Sequence, residues 1–332
     1  MATPMVPYVE LPKFDEYKEW FKDYFDLRRE DGILEVTMKT GDGPMYWSGG
    51  AHRAMSQLTR IISLDHENEI LIWTHKGNYW MKDSDVGGWD RYNELENAQR
   101  FQHQYFDDMN LIKNFIFDLE IPTIGAMPGP GFHWDSFIAC DISIAAEDSK
   151  FDDPHLHYGL VPGDGMFMLM QHLMGTKRAN YYASTCRQWT AKQALDWGFV
   201  SELVPADKVN ERAWEIARLL KSIPYETRTI NSYLCKRPIE RLIVNDMKLH
   251  SCNEMYSSAL KIAQGEMGGH EEFGKGQMDE SYHGLFSTWK YDRETEDMLE
   301  PQSVDTWNCL DKAMEYSDKH GLGYKRREKG GK

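Results

Sequence analysis

The chain has 332 residues, 53 Asp+Glu against 38 Lys+Arg, and a formal net charge of -15. That balance argues against a nucleic-acid or anionic-membrane partner, and no apolar stretch approaches the roughly 18 residues needed to span a bilayer. With 41% hydrophobic residues, 11 Trp and 17 Tyr, the chain can bury a sizeable core. Five scattered cysteines (Cys140, Cys186, Cys235, Cys252, Cys309) without a C-x-x-C pair point to reduced thiols. The N-terminus lacks a basic-then-apolar signal layout, so the expected location is the cytoplasm.

In chain order, residues 1–26 read as an arm carrying a short helix, Phe14 to Tyr24. Leu27 to Met38 reads as a hairpin turning at Asp31-Gly32. Helical spacing of Met55, Leu58, Ile61 and Ile62 predicts a helix over Ala51 to Ser63. A buried strand follows at Glu69 to Thr74, then a polar loop through Arg91. Glu94 to Leu119 is an amphipathic helix with Phe101, Tyr105, Met109, Ile112 and Ile116 on one side.

Ile121 to Met127 and Ala139 to Ala146 are strands flanking the Gly/Pro loop Pro128-Gly129-Pro130-Gly131 and a short helix. Helices are expected at Met166 to Met174, from Thr190, at Ala206 to Ile223 and at Tyr225 to Ala263. One more strand is expected at Phe199 to Val204. Beyond Gly265 the chain becomes glycine-rich, charged and weakly periodic, an extension over 266–332. The order implies an α/β core (27–205) followed by a helical region (206–265).

Polar groups concentrate between Pro122 and Gly165. His133 and Asp135 follow the glycine loop, His155 and His157 follow Asp152-Asp153-Pro154, and Asp164 lies inside Pro162-Gly163-Asp164-Gly165. Imidazoles beside carboxylates are the usual material of acid–base chemistry near neutral pH. A glycine loop entering a helix offers N–H groups to developing negative charge. One such histidine alone is more often a solvated loop residue; three in one block favour a shared site. No metal-ligand spacing is present, Asp152 and Asp153 included, so neither metal nor cofactor is expected.

From about Leu27 to Gly265 the chain resembles the crotonase (enoyl-CoA hydratase/isomerase) superfamily. The blocks that carry the likeness are PTIGAMPGPGFHWDSFIACDISIAAEDSKF, DPHLHYGLVPGDG and GTKRANYYASTCRQWTAKQALDWGFVSELVP. The resemblance implies a spiral of ββα units and a C-terminal helical region that builds a homotrimer or dimer of trimers. Two departures matter. His133-Trp134-Asp135 and His155 stand where a hydratase carries its two glutamates, and Tyr79-Trp80-Met81-Lys82-Asp83 replaces the Ala-Gly-x-Asp oxyanion segment.

The chain is more similar to the β-diketone hydrolase branch, the group of 6-oxocamphor hydrolase, through Trp47, His52, His133, His155, Asp164 and Glu254. That likeness implies retro-Claisen hydrolysis of a cyclic 1,3-diketone without a cofactor. His155 oriented by Asp164 would activate water, and Trp47 N–H with His133 would hold the attacked carbonyl. His52 supported by Glu254 would serve the enolate, and the two pairs could exchange roles. Trp80 and Asp135 are expected to line the pocket. Each has a plainer reading: Trp47 as a core aromatic, His52 as a helix start, Glu254 as a solvated helix residue, Asp164 as a turn carboxylate. Two rivals stand beside this reading. One is a CoA-dependent member, such as a ring-opening oxo-cyclohexene acyl-CoA hydrolase using Lys76 and Lys82. The other is a non-catalytic oligomeric binding protein.

Overall fold

The computed structural model describes residues 9–81, 97–153, 155–158, 160–185 and 187–263. The arm residues 1–8, Lys82, most of the polar loop through Arg91, Pro154, Cys186 and the extension over 266–332 lie outside the described residues. Contacts group Met1–Ser258 into one compact unit and Ala259–Lys332 into a second. The sheet and the loops that position the site belong to the first unit.

Helix α1 (Phe14–Trp20) leads into strands β1 (Phe25–Glu30) and β2 (Ile33–Met38), joined at Asp31-Gly32. Both turn residues have positive φ, 48° and 77°, the requirement of a tight hairpin that Asp-Gly satisfies. Helix α2 (Gly49–Leu64) precedes β3 (Ile70–His75). Helix α3 (Asn97–Lys113), with a π turn at Asn114–Asp118, precedes β4 (Thr123–Met127). Short α4 (Asp135–Ile138) leads to β5 (Ile142–Ala146) and β6 (Lys150–Phe151). Helices α5 (Met166–Met174) and α6 (Thr176–Thr185) follow, then β7 (Trp189–Thr190), α7 (Ala191–Asp196) and β8 (Glu202–Val204). Helices α8 (Val209–Lys221), α9 (Tyr225–Leu242) and α10 (Lys248–Ala263) complete the described chain.

The main sheet runs β1-β2-β3-β4-β5-β8, antiparallel at the hairpin and parallel thereafter; β6 and β7 form a small antiparallel pair. Period-two alternation divides its side chains. Ile33, Ile70, Ile72, Ile124, Ala126, Ile144 and Ala146 face α8, packing on Val209, Ala213, Trp214 and Ala217. Leu34, Val36, Leu71, Trp73, Met127 and Ala145 face the larger core, with α2, α3 and α5. On that side α4 lies directly on β4: a Cβ at Gly125 would run into the Phe137 backbone.

The expected helix over Tyr225 to Ala263 is interrupted by a π turn, Ile243–Met247. The strands expected at Ala139 and Phe199 start later, at Ile142 and Glu202. α6 was not expected, because TKRANYYAST has no clear apolar stripe. Among the described residues, no helix is long and apolar enough to cross a membrane, and Cys140, Cys235 and Cys252 are free thiols.

At the end of β3, His75 is buried with its edge toward Trp80 (5.5 Å between ring centroids). Burial holds its pKa down, from 6.5 to about 3. The folded state therefore binds the neutral ring, and its contribution is complete above 6.5 and is lost as pH falls toward 3. His75→Asn should flatten the acid side of the stability curve by up to about 1.4 kcal/mol per pH unit in that window. Urea titrations at stepped pH, wild type against variant, read that slope.

Candidate active site

Ligands of parallel α/β sheets bind beyond the carboxyl ends of the strands, and here the loops leaving those ends carry the chemistry. The segment after β2 brings Trp47 and then His52, which sits in the first turn of α2. Ser48 caps that helix, its hydroxyl accepting from the Ala51 N–H at 3.1 Å, which fixes where the His52 ring emerges. The loop after β4 brings His133 and Asp135. The chain after β6 brings Asp153, His155 and, just before α5, Asp164.

These side chains converge. His133 Nδ1 lies 3.1 Å from Asp164 Oδ2 and 3.5 Å from Asp135 Oδ1. His155 Nε2 faces the same Asp164 oxygen at 3.6 Å. The Trp47 ring stacks on His133 (3.9 Å, 23°) and tilts toward His52 at 4.8 Å. All are buried: His133 is 8% exposed, His155 6%, Trp47 6%, His52 2% and Asp164 1%. Five of the sequence-predicted residues, Trp47, His52, His133, His155 and Asp164, thus occupy one enclosed cluster. Two hollows of about 490 and 360 Å³ elsewhere on the molecule contain none of them.

Three expectations need correction. The carboxylate against His52 is Asp108 of α3, with Oδ1 3.0 Å from Nε2, not Glu254. Glu254 reaches from α10 to the Gly163 backbone instead, accepting its N–H at 3.0 Å, while Ser251 donates to the Gly163 carbonyl at 2.9 Å. Secondly, the orienting carboxylate of His155 is Asp153, which contacts Nδ1 at 2.6 Å and also accepts the His155 backbone N–H. Asp164 faces the opposite nitrogen. Thirdly, Trp80 is fully buried, and its indole N–H donates to the His133 carbonyl at 2.8 Å. It holds the wall in place and does not form its surface. That bond restrains a residue with φ of 49°, a left-handed conformation uncommon outside glycine, of the sort that gathers at functional sites.

Asp108 and Asp153 were missed as site residues. Asp108 carried a signal: it falls four residues before Ile112 and seven after Phe101, inside the apolar stripe of its own helix, where an unpaired carboxylate has no place.

The electrostatics follow from packing acids and imidazoles together out of water. Burial opposes the charged ring of His133, but the Asp135 and Asp164 side chains overcome it and raise its pKa to about 9. Burial likewise opposes protonation of His155, and the Asp164 and Asp153 carboxylates override it, holding its pKa well above 6.5. Against burial, His155 and His133 keep Asp164 ionised, far below the usual carboxylate range. Burial raises Asp135, Asp108 and Glu254, with neighbouring acids adding to it. The site therefore holds an ionised Asp164 between two imidazoles, ringed by carboxyl groups whose pKa values burial raises.

The Gly163 contact positions Asp164. A Cβ at Gly163 would overlap the His250 carbonyl and the Glu254 side chain. Gly163→Ala should push the loop off α10, at a cost of about 1–3 kcal/mol by analogy with overpacking, with activity falling alongside. Thermal melts and turnover of the variant check both.

Residues 86–270, more than half of the chain, match the Enoyl-CoA hydratase/isomerase family. A hydroxycinnamoyl-CoA hydratase-lyase from Pseudomonas fluorescens is 25% identical over 206 residues, covering 60% of this chain and 73% of that one. A carnitinyl-CoA dehydratase from Salmonella typhi is 33% identical over 112 residues, 33% of this chain and 43% of that one. Among solved structures, a beta-diketone hydrolase from the cyanobacterium Anabaena sp. PCC 7120, bound to (S)-3-oxocyclohexyl acetic acid, superposes with a TM-score of 0.67. It is 31% identical, over 72% of this chain and 96% of that one. An enoyl-CoA hydratase/isomerase from Mycobacterium paratuberculosis shares the fold at a TM-score of 0.65 and 19% identity, over 71% and 93% of the two chains. The chain belongs to the enoyl-CoA hydratase/isomerase (crotonase) superfamily.

Proposed function

We propose that this protein is a hydrolase that cleaves the C–C bond of a cyclic 1,3-diketone, with water attacking one carbonyl and the other leaving as an enolate. The observation that carries the reading is the buried His133–Asp164–His155 cluster, built where hydration chemistry would call for two glutamates. The likeness to a beta-diketone hydrolase, 31% identical across nearly its whole length, supports it.

In this mechanism Asp153 fixes His155 through Nδ1 and leaves Nε2 directed toward Asp164. In its neutral form, which the surrounding carboxylates confine to pH above its raised pKa, His155 takes a proton from water at Nε2 as the water oxygen bonds to the carbonyl carbon, and the ionised Asp164 balances the imidazolium that forms. His133, cationic and stacked on Trp47, donates to the oxygen that becomes negative; its charge is set in place before the reaction begins. Collapse of the tetrahedral adduct breaks the C–C bond, and the electron pair moves onto the second carbonyl as an enolate. His52, held by Asp108, delivers a proton to the enolate carbon, leaving a keto acid. Assembly as a trimer or a dimer of trimers belongs to the same reading; it is supported by the exposed apolar side chains Ile230, Tyr233 and Leu234 on α9.

The test is a parallel screen. Monocyclic and bicyclic 1,3-diketones should lose their ultraviolet absorbance with enzyme, whereas enoyl-CoA and oxo-cyclohexene acyl-CoA thioesters should be untouched. Turnover of a thioester with every diketone inert would replace this reading with the CoA-dependent one.

A further inference from the structure

We propose that the same pocket is a zinc-type metal site, with His133, His155 and Asp164 as protein ligands, and that an ion bound there stops turnover. One donor atom from each of the three buried residues lies within 4.8 Å of the others. The two shorter separations are 3.1 Å, from His133 Nδ1 to Asp164 Oδ2, and 3.6 Å, from His155 Nε2 to the same oxygen. Tetrahedral zinc with bonds of about 2.0–2.1 Å sets its donors about 3.3 Å apart, so these two separations bracket the requirement, while the third, between the two imidazoles, lies within 4.8 Å.

Orientation points the same way. His133 Nδ1 and Asp164 Oδ2 are close enough to hydrogen-bond, yet neither has an aligned hydrogen-bond partner among the described residues. Buried polar atoms left in that state are costly, and an ion shared with His155 would satisfy both. The supporting contacts are those of a metal centre. A carboxylate, Asp153, holds Nδ1 of His155 at 2.6 Å, which fixes the tautomer that presents Nε2. The second Asp164 oxygen accepts the Met166 N–H at 3.1 Å, so the carboxylate cannot swing away. Trp47 restrains the His133 ring by stacking. Two imidazoles and a carboxylate suit zinc or cobalt better than magnesium or calcium, which favour all-oxygen sets.

No short motif reveals these ligands in the sequence: His133 comes from the loop after β4, whereas His155 and Asp164 stand nine residues apart in the chain after β6. The inhibitory consequence is direct. A metal on Nε2 of His155 removes the lone pair that would accept the proton of water. Metal binding itself does not depend on the substrate being a diketone.

The experiment uses the full chain, stripped by chelator, titrated with Zn²⁺ in a calorimeter and with Co²⁺ by visible absorption. One equivalent should bind, Co²⁺ giving the intense bands of low-coordinate geometry, and a chelator should reverse both. His133→Asn and His155→Gln should abolish the high-affinity event. Asp153→Asn, which leaves all three ligands present, should weaken it by about 10–100-fold, and His172→Asn on the exposed surface should leave it unchanged. Circular dichroism reports which variants are folded, and Asp153→Asn decides the matter if a ligand variant is not. No uptake by wild type, or equal uptake by wild type, Asp153→Asn and the folded ligand variants, would overturn the site. Undiminished turnover of a diketone with one zinc bound would overturn the inhibition while leaving the functional reading intact.

Discussion

Replacing His155 with glutamine should lower kcat on an active diketone by about 10²–10⁴-fold, the usual loss when a positioned general base is removed. The reason is geometric. Asp153 occupies Nδ1 at 2.6 Å, so of the two ring nitrogens of His155 it is Nε2 that faces the oxygen of Asp164. Glutamine keeps comparable bulk and a polar end but cannot take up a proton at that position. KM should change little, because the base is needed in the transition state and not for binding. Steady-state kinetics on the folded variant measure this, and wild-type turnover would remove His155 from the mechanism.

The second large effect is expected from His133→Asn, a fall of about 10²–10³-fold in kcat, the cost of losing one oxyanion donor. Asparagine is chosen for the backbone: it tolerates the left-handed region better than most residues, so the φ of 49° can be kept and Trp80 can retain its bond to the residue-133 carbonyl. The lost feature is then the cationic ring between Trp47 and Asp164. A reduction in kcat with Tm near wild type would separate chemistry from folding. His133→Ala, which fits that backbone less well, should lose both.

These two residues also show how far the sequence could be read. His133 and His155 were legible because each follows a turn-rich segment bounded by apolar strands, and because resemblance placed them where hydratase glutamates belong. The α/β core was legible from the order of its apolar strands and helices. Pairings between side chains were not. Glu254 was matched to His52, whereas α10 packs on the 162–165 loop and offers the carboxylate to a backbone N–H. Which helix meets which loop is decided by tertiary packing, and the periodicity of α10 does not encode it. Asp108 could have been found as a carboxylate inside an apolar stripe, but its partner lies 56 positions earlier in the chain. Trp80 was assigned by position within a replaced segment; only the fold shows its indole turned to the His133 carbonyl.

The most direct measurement of the central claim is product analysis after reaction of a symmetrical cyclic 1,3-diketone in heavy-oxygen water. Retro-Claisen cleavage predicts a ring-opened keto acid, heavier than the substrate by one water, with a single solvent oxygen located in the new carboxylate. A product that keeps the ring, or a labelled hydroxyl in place of a carboxylate, would contradict it.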